Sequence, residues 1–225
     1  MNLQPPPQTD DVVELRKWCE DVYRFLEFPV FPGGVNIGDT TNYTEIKNDG
    51  EINLHGTARV DKYEWIAAQG LAAHGAKAAT WVTFANGITA AWQFADNADN
   101  AVTFNMMLPD DMDFTEASYL CCGWSSPVIS GDCYWLAEYL MTEVDDDTDA
   151  VADDSTGALY TSSATADGMV RSLLQTYAAN TFDANSMCFH GAITRDVSED
   201  ALGGVAHLHG ITLWYTKKKL GAATT

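Results

Sequence analysis

The chain has 225 residues, of which 46% are hydrophobic and 11% aromatic, enough to bury a substantial core and too apolar for a disordered chain. Asp and Glu number 32 against 12 Lys and Arg, a net charge of −20, so phosphate backbones are repelled and nucleic acid is excluded as an expected partner. No run approaches the roughly 18 to 20 apolar residues of a membrane helix. The opening MNLQPPPQTDD lacks a basic segment followed by an apolar one, so the expectation is a soluble chain made in a cytoplasm.

Pro5, Pro6 and Pro7 stiffen the start and cannot enter a helix interior. Asp10 or Asp11 can then cap a helix over about residues 12–28. Its apolar positions Leu15, Trp18, Cys19, Val22, Phe25 and Leu26 follow helical spacing and form one stripe. Pro29, Pro32, Gly33 and Gly34 end it. A stripe this aromatic packs on its own domain, on copies of itself around an axis or on a host surface. In the last case residues 1–35 are an arm and anchoring helix, with Leu15, Trp18, Val22, Phe25 and Leu26 as the interface.

Residues 36–79 read as a β-hairpin and linker. Asn48-Asp49-Gly50 is a tight-turn signal, and Ile52, Leu54, Gly56, Ala58 and Val60 alternate with polar residues after it. Residues 61–79, rich in Ala and Gly, read as a short helix or linker. From residue 80 to 225 the signals are those of strands: aromatic and β-branched runs punctuated by Gly, Pro, Asp and Asn. The expected fold is mainly β, an antiparallel jelly-roll or β-sandwich. Between two of these runs, residues 143–157 carry seven carboxylates without the Gly and Glu offsets of an EF-hand, so a solvated acidic loop is expected ahead of a weak Ca²⁺ site.

The five cysteines include no CxxC pair and read as small buried hydrophobes. Cys121 and Cys122 are adjacent, so on a strand they point to opposite faces. His207 and His209 share a strand face, which is half of a metal site or a pair of imidazoles facing solvent or a neighbouring subunit. The cupin pattern would require a nearby Glu and a downstream His, and both are missing, so the second reading is expected. Gly123-Trp124-Ser125-Ser126 is not a nucleophile elbow, and Cys188 with His190 has proximity without general-base geometry. No catalytic residue, metal or cofactor is expected, and the chain reads as a non-enzyme.

Three features carry a family resemblance: Leu108-Pro109-Asp110-Asp111, then Gly123-Trp124, then Gly131-Asp132-Cys133-Tyr134-Trp135-Leu136-Ala137-Glu138-Tyr139. With the closing AITRDVSEDAL and AHLHGITLWY, they resemble small jelly-roll virion proteins of tailed bacteriophages. Where many relatives carry a histidine before the Trp, this chain has Cys121 and Cys122. The resemblance implies a homotrimeric, non-enzymatic capsid decoration or head-fibre-like protein on the outer surface of a virion, assembled in the host cytoplasm. Its implied partners are its own copies and the major capsid protein or other virion proteins. The alternative is a tail-associated protein binding a receptor or host-surface glycan, with Trp124, Tyr134 or Tyr160 stacking on sugar rings. A metal-dependent jelly-roll enzyme is the third possibility.

Overall fold

A computed structural model of the chain describes residues 35–47 and 51–220, together with Arg16 and Lys17. Arg16 and Lys17 are helical and exposed. Leu15, Trp18, Val22, Phe25 and Leu26, the expected anchor, lie outside the described residues, as does the turn at 48–50. The chain divides into two compact units, one formed by Met1–Val60 with Lys217–Thr225 and one by Asp61–Thr216.

In the first unit four strands make an antiparallel sheet: β1 (Val35–Gly38), β2 (Tyr43–Ile46), β3 (Ile52–Leu54) and β15 (Lys219–Leu220), in that spatial order. The expected hairpin is β2–β3, closed with Ile46 opposite Ile52. Beyond it the alternation of Gly56 and Ala58 does not continue as strand. Residues Gly56–Ala58 form a single 3-10 turn.

The second unit carries the remaining strands: β4 (Val60–Ala67), β5 (Ala72–Ala73), β6 (Thr80–Thr83), β7 (Ala90–Phe94), β8 (Asn100–Met107), β9 (Ser118–Ser125), β10 (Asp132–Thr142), β11 (Asp154–Thr161), β12 (Val170–Tyr177), β13 (Cys188–Arg195) and β14 (Ala206–Lys217). One sheet has the order β12-β9-β14-β7-β6, with β4 also pairing β14, and the other β11-β10-β13-β8-β5. From β7 to β14 the chain changes sheet at every step except β10–β11, which are adjacent partners. The two inner quartets are therefore β7-β14-β9-β12 and β8-β13-β10-β11, which is jelly-roll topology. The fold is an antiparallel β-sandwich of the expected class.

Strand alternation builds the core. Leu120, Cys122 and Trp124 of β9 and Leu208, Ile211, Leu213 and Tyr215 of β14 face Val102, Phe104, Cys133, Trp135, Ala137, Phe189 and Ile193 of the opposite sheet. The skip from Leu208 to Ile211 reflects a register shift in β14 between Leu208 and Gly210. Trp135 stands edge-on to Phe94 at 5.0 Å and to Trp124 at 5.9 Å between ring centroids. Such edge-to-face pairs set the quadrupoles in attraction and fix the ring positions.

Arg195 is a charged residue with no solvent exposure. Its Nε and one NH₂ donate to both carboxylate oxygens of Asp200, at 2.5 and 3.1 Å. The remaining donors reach the carbonyls of Leu202, Gly204 and Phe94. The loop into β14 is thereby folded around one guanidinium.

Two expectations change here. Residues 61–79 are not a helix or linker: they open with β4, so the compact sandwich unit begins at residue 61 rather than 80. Asp61, Tyr63 and Trp65 point one way, and Lys62, Glu64 and Ile66 the other, the period of two that makes a strand. The stretch expected as one acidic loop to residue 157 is a loop only to 153. Asp154 begins β11, an exposed edge strand whose Ser, Thr and Gly content hides it from an apolar-run search.

Candidate functional site

Along β9 the outward positions are Tyr119, Cys121 and Gly123, while Leu120, Cys122 and Trp124 fill the core. The cysteines thus point oppositely, as expected. On one side β12 sets Arg171 opposite Gly123 and Leu173 opposite Cys121. On the other β14 sets Gly210 opposite Gly123, Thr212 opposite Cys121 and Trp214 opposite Tyr119. Cys121, Gly123 and Gly210 therefore make a floor of small side chains, bordered by the larger Tyr119, Arg171, Leu173 and Trp214.

From β4, which pairs with β14, Trp65 extends over that floor. A Cβ on Gly210 would sit 2.4 Å from Trp65 Cζ2, and one on Gly123 would sit 3.5 Å from Trp65 Cη2, so the indole rests directly on two glycines. Tyr63 packs against Trp214 at 5.0 Å between centroids and a 34° tilt. Arg171 reaches across the floor to lie 4.4 Å above the Trp214 ring. Beneath it Cys121 is buried, which raises its thiol pKa, and a hydrogen bond with Arg171 works against that rise. Beside these groups is a depression of about 340 Å³, lined by Asp61, Tyr119, Cys121, Arg171, Leu173 and Trp214 among others.

The exposures decide what this face can do. Tyr63 is 57% exposed, Trp65 46%, Leu173 46% and Tyr119 41%. Four large apolar groups on this face are left in water, beside Asp61 and Arg171. A patch of this kind on a sheet face marks an interaction surface.

The aromatics expected to stack on sugars are elsewhere. Trp124 is fully buried, its Nε1 donating to Ser172 Oγ at 2.9 Å. Tyr134 packs against Gly157 across β10–β11. Tyr160 donates its hydroxyl to the Leu173 carbonyl, and burial pushes its pKa up to about 12. None of these is a free loop aromatic. Tyr63 and Trp65 were missed because residues 61–79 read as helix or linker, although the alternation D-K-Y-E-W was the available signal.

His207 and His209 do share one side, but they do not face open solvent. Phe84 covers both, at 4.8 Å edge-on to His207 and 5.7 Å stacked on His209. His209 Nε2 pairs with Ser125 Oγ at 2.9 Å, and His207 Nε2 faces Gln93 Oε1 at 3.4 Å. Burial lowers both pKa values; Asp167, 3.9 Å from His207 Nδ1, opposes the shift. His190 is on the other sheet, held by Asn105 and Thr142, and His55 stacks on Tyr43 in the smaller unit. Both ring nitrogens of His190 are thus engaged, by Thr142 and Asn105.

Among the described residues no three His, Cys, Asp or Glu side chains are grouped to hold a metal ion. In residues 143–153 the carboxylates serve the backbone: Asp146 accepts from Glu143 N–H, Asp147 from Asp149 N–H, and Asp153 from Met141 N–H. Among the described residues no helix is long and apolar enough to cross a membrane.

No family model and no curated protein matches the chain. Solved structures similar to it include a family 35 carbohydrate-binding module from Clostridium thermocellum, at 8% identity and a TM-score of 0.43, covering 68% of this chain and 97% of that one. Another is the CBM22-1 xylan-binding domain of Paenibacillus barcinonensis Xyn10C, at 14% identity and a TM-score of 0.38, covering 68% and 88%. A third is a carbohydrate-binding module of specific mannan recognition, at 10% identity and a TM-score of 0.38, covering 68% and 98%. At such identities the likeness concerns architecture alone.

Proposed function

We propose that this chain is a non-enzymatic binding protein that takes a carbohydrate on the outer face of the β12-β9-β14-β4 surface. The observation that supports it is the set of exposed rings Tyr63, Trp65 and Tyr119 around a floor of Gly123, Gly210 and Cys121. A sugar ring has an apolar face of C–H groups and a rim of hydroxyls. Aromatic rings receive the first at little conformational cost, and Asp61 and Arg171 can hydrogen-bond the second. Along β4, Asp61 and Trp65 are four residues apart, about 13 Å of extended chain, which suits an oligosaccharide better than a single sugar. The carbohydrate-binding modules named above share an architecture only, so it is these side chains that support carbohydrate as the ligand.

The test is a glycan array followed by calorimetry on the best ligand, with Trp65→Ala and Tyr63→Ala beside the parent. Loss of binding in both variants, with unchanged thermal melting, is the expected result. Binding that survives both removes this face from consideration.

The setting we propose is the one implied by the phage resemblance: a homotrimer on the outer surface of a virion, attached through residues 1–35. Deleting the first 30 residues is expected to abolish co-sedimentation with capsids while the sandwich stays folded. A truncated chain that still co-sediments refutes the anchor.

A further inference from the structure

The compact unit Asp61–Thr216 contains four cations: Lys62, Lys77, Arg171 and Arg195. Lys62 lies 2.8 Å from Glu64, Lys77 lies 3.7 Å from Asp99, and Arg195 is bidentate with Asp200. Arg171 has no carboxylate within ion-pair distance among the described residues. In a chain this acidic, an exposed guanidinium that pairs with none of the described carboxylates is a placed group. It sits over the Trp214 ring and hydrogen-bonds with Cys121 of the floor, and it lines the depression beside Tyr119 and Leu173.

From this juxtaposition we infer that the face recognises a sugar bearing an anionic substituent, a carboxylate or sulfate, received by the Arg171 guanidinium. This rests on the carbohydrate reading above and narrows its ligand class. A guanidinium already stacked on an indole loses little freedom on binding, and its fork matches two oxygens of a carboxylate or sulfate. Asp61, across the same depression, favours a hydroxyl-bearing neighbour and repels a second anion. The ligand is thus a chain in which the charged sugar sits over Arg171 and neutral rings extend toward Tyr63 and Trp65.

The experiment uses the full chain against matched pairs of immobilised glycans: carboxylated glycans and sulfated glycans, each beside its neutral parent. The anionic member of at least one pair is expected to bind about tenfold or more tightly, and the pair concerned distinguishes carboxylate from sulfate. Arg171→Gln is expected to collapse that ratio to near one, with Arg171→Lys intermediate because it keeps charge and loses the fork. Equal binding within every pair, with loss in Trp65→Ala, overturns this inference and leaves the carbohydrate face standing. A preference that persists in Arg171→Gln overturns it as well. Binding to no glycan overturns both this inference and the reading it rests on.

Discussion

Removing the Asp200 side chain would leave Arg195 charged, fully buried and stripped of its counterion. Asp200→Ala deletes the two hydrogen bonds at 2.5 and 3.1 Å while the three carbonyl contacts remain. Breaking a buried pair from one side costs about 3 to 5 kcal/mol, because the surviving charge has lost water and keeps only neutral carbonyl partners in place of its counterion. For a unit of this size that corresponds to a fall in Tm of about 6 to 20 °C. Urea denaturation and thermal melting measure it directly. The double variant Arg195→Met with Asp200→Leu removes the charge problem, yet leaves the carbonyls of Phe94, Leu202 and Gly204 without their donor. It is therefore expected to regain part of the loss, not all. A cost below about 1 kcal/mol for Asp200→Ala, or a double variant no better than the single, refutes the assignment of a dry, fully engaged guanidinium. The consequence reaches the binding face, since the clamp sets where β14 begins and so where Trp214 stands.

Ser172→Ala strands the buried Trp124 Nε1 donor and should cost about 1 to 3 kcal/mol in urea titrations. Gly210→Ala brings a Cβ within 2.4 Å of Trp65 and 2.5 Å of the Ile66 carbonyl, so it should lower Tm and abolish glycan binding together. His207 and His209 have depressed pKa values in the folded chain, so the unfolded chain binds protons more readily, and stability should fall as pH drops below about 6.5. Replacing both with Gln should flatten the Tm profile between about pH 6.5 and 5, above most carboxylate titration; an unchanged slope would show that other groups cause it.

Much of the architecture is legible without coordinates. The period-two runs of β6 to β10 and β12 to β14 and the opposed Cys121 and Cys122 follow from backbone geometry, which sends alternate side chains to opposite faces. Ala- and Gly-rich flanking sequence masked β4, and the polar edge strand β11 was masked by its lack of an apolar run. Composition and periodicity sufficed for the fold class because both are local properties of a chain that must bury one face of each strand. What only the tertiary structure decided is which strands become neighbours. Residue 65 meets residues 123 and 210, and residue 171 meets residue 214, through pairings that no local pattern encodes. The same pairings slid Phe84 over the two histidines and buried Trp124, because long-range register, rather than residue type, determines which faces see water.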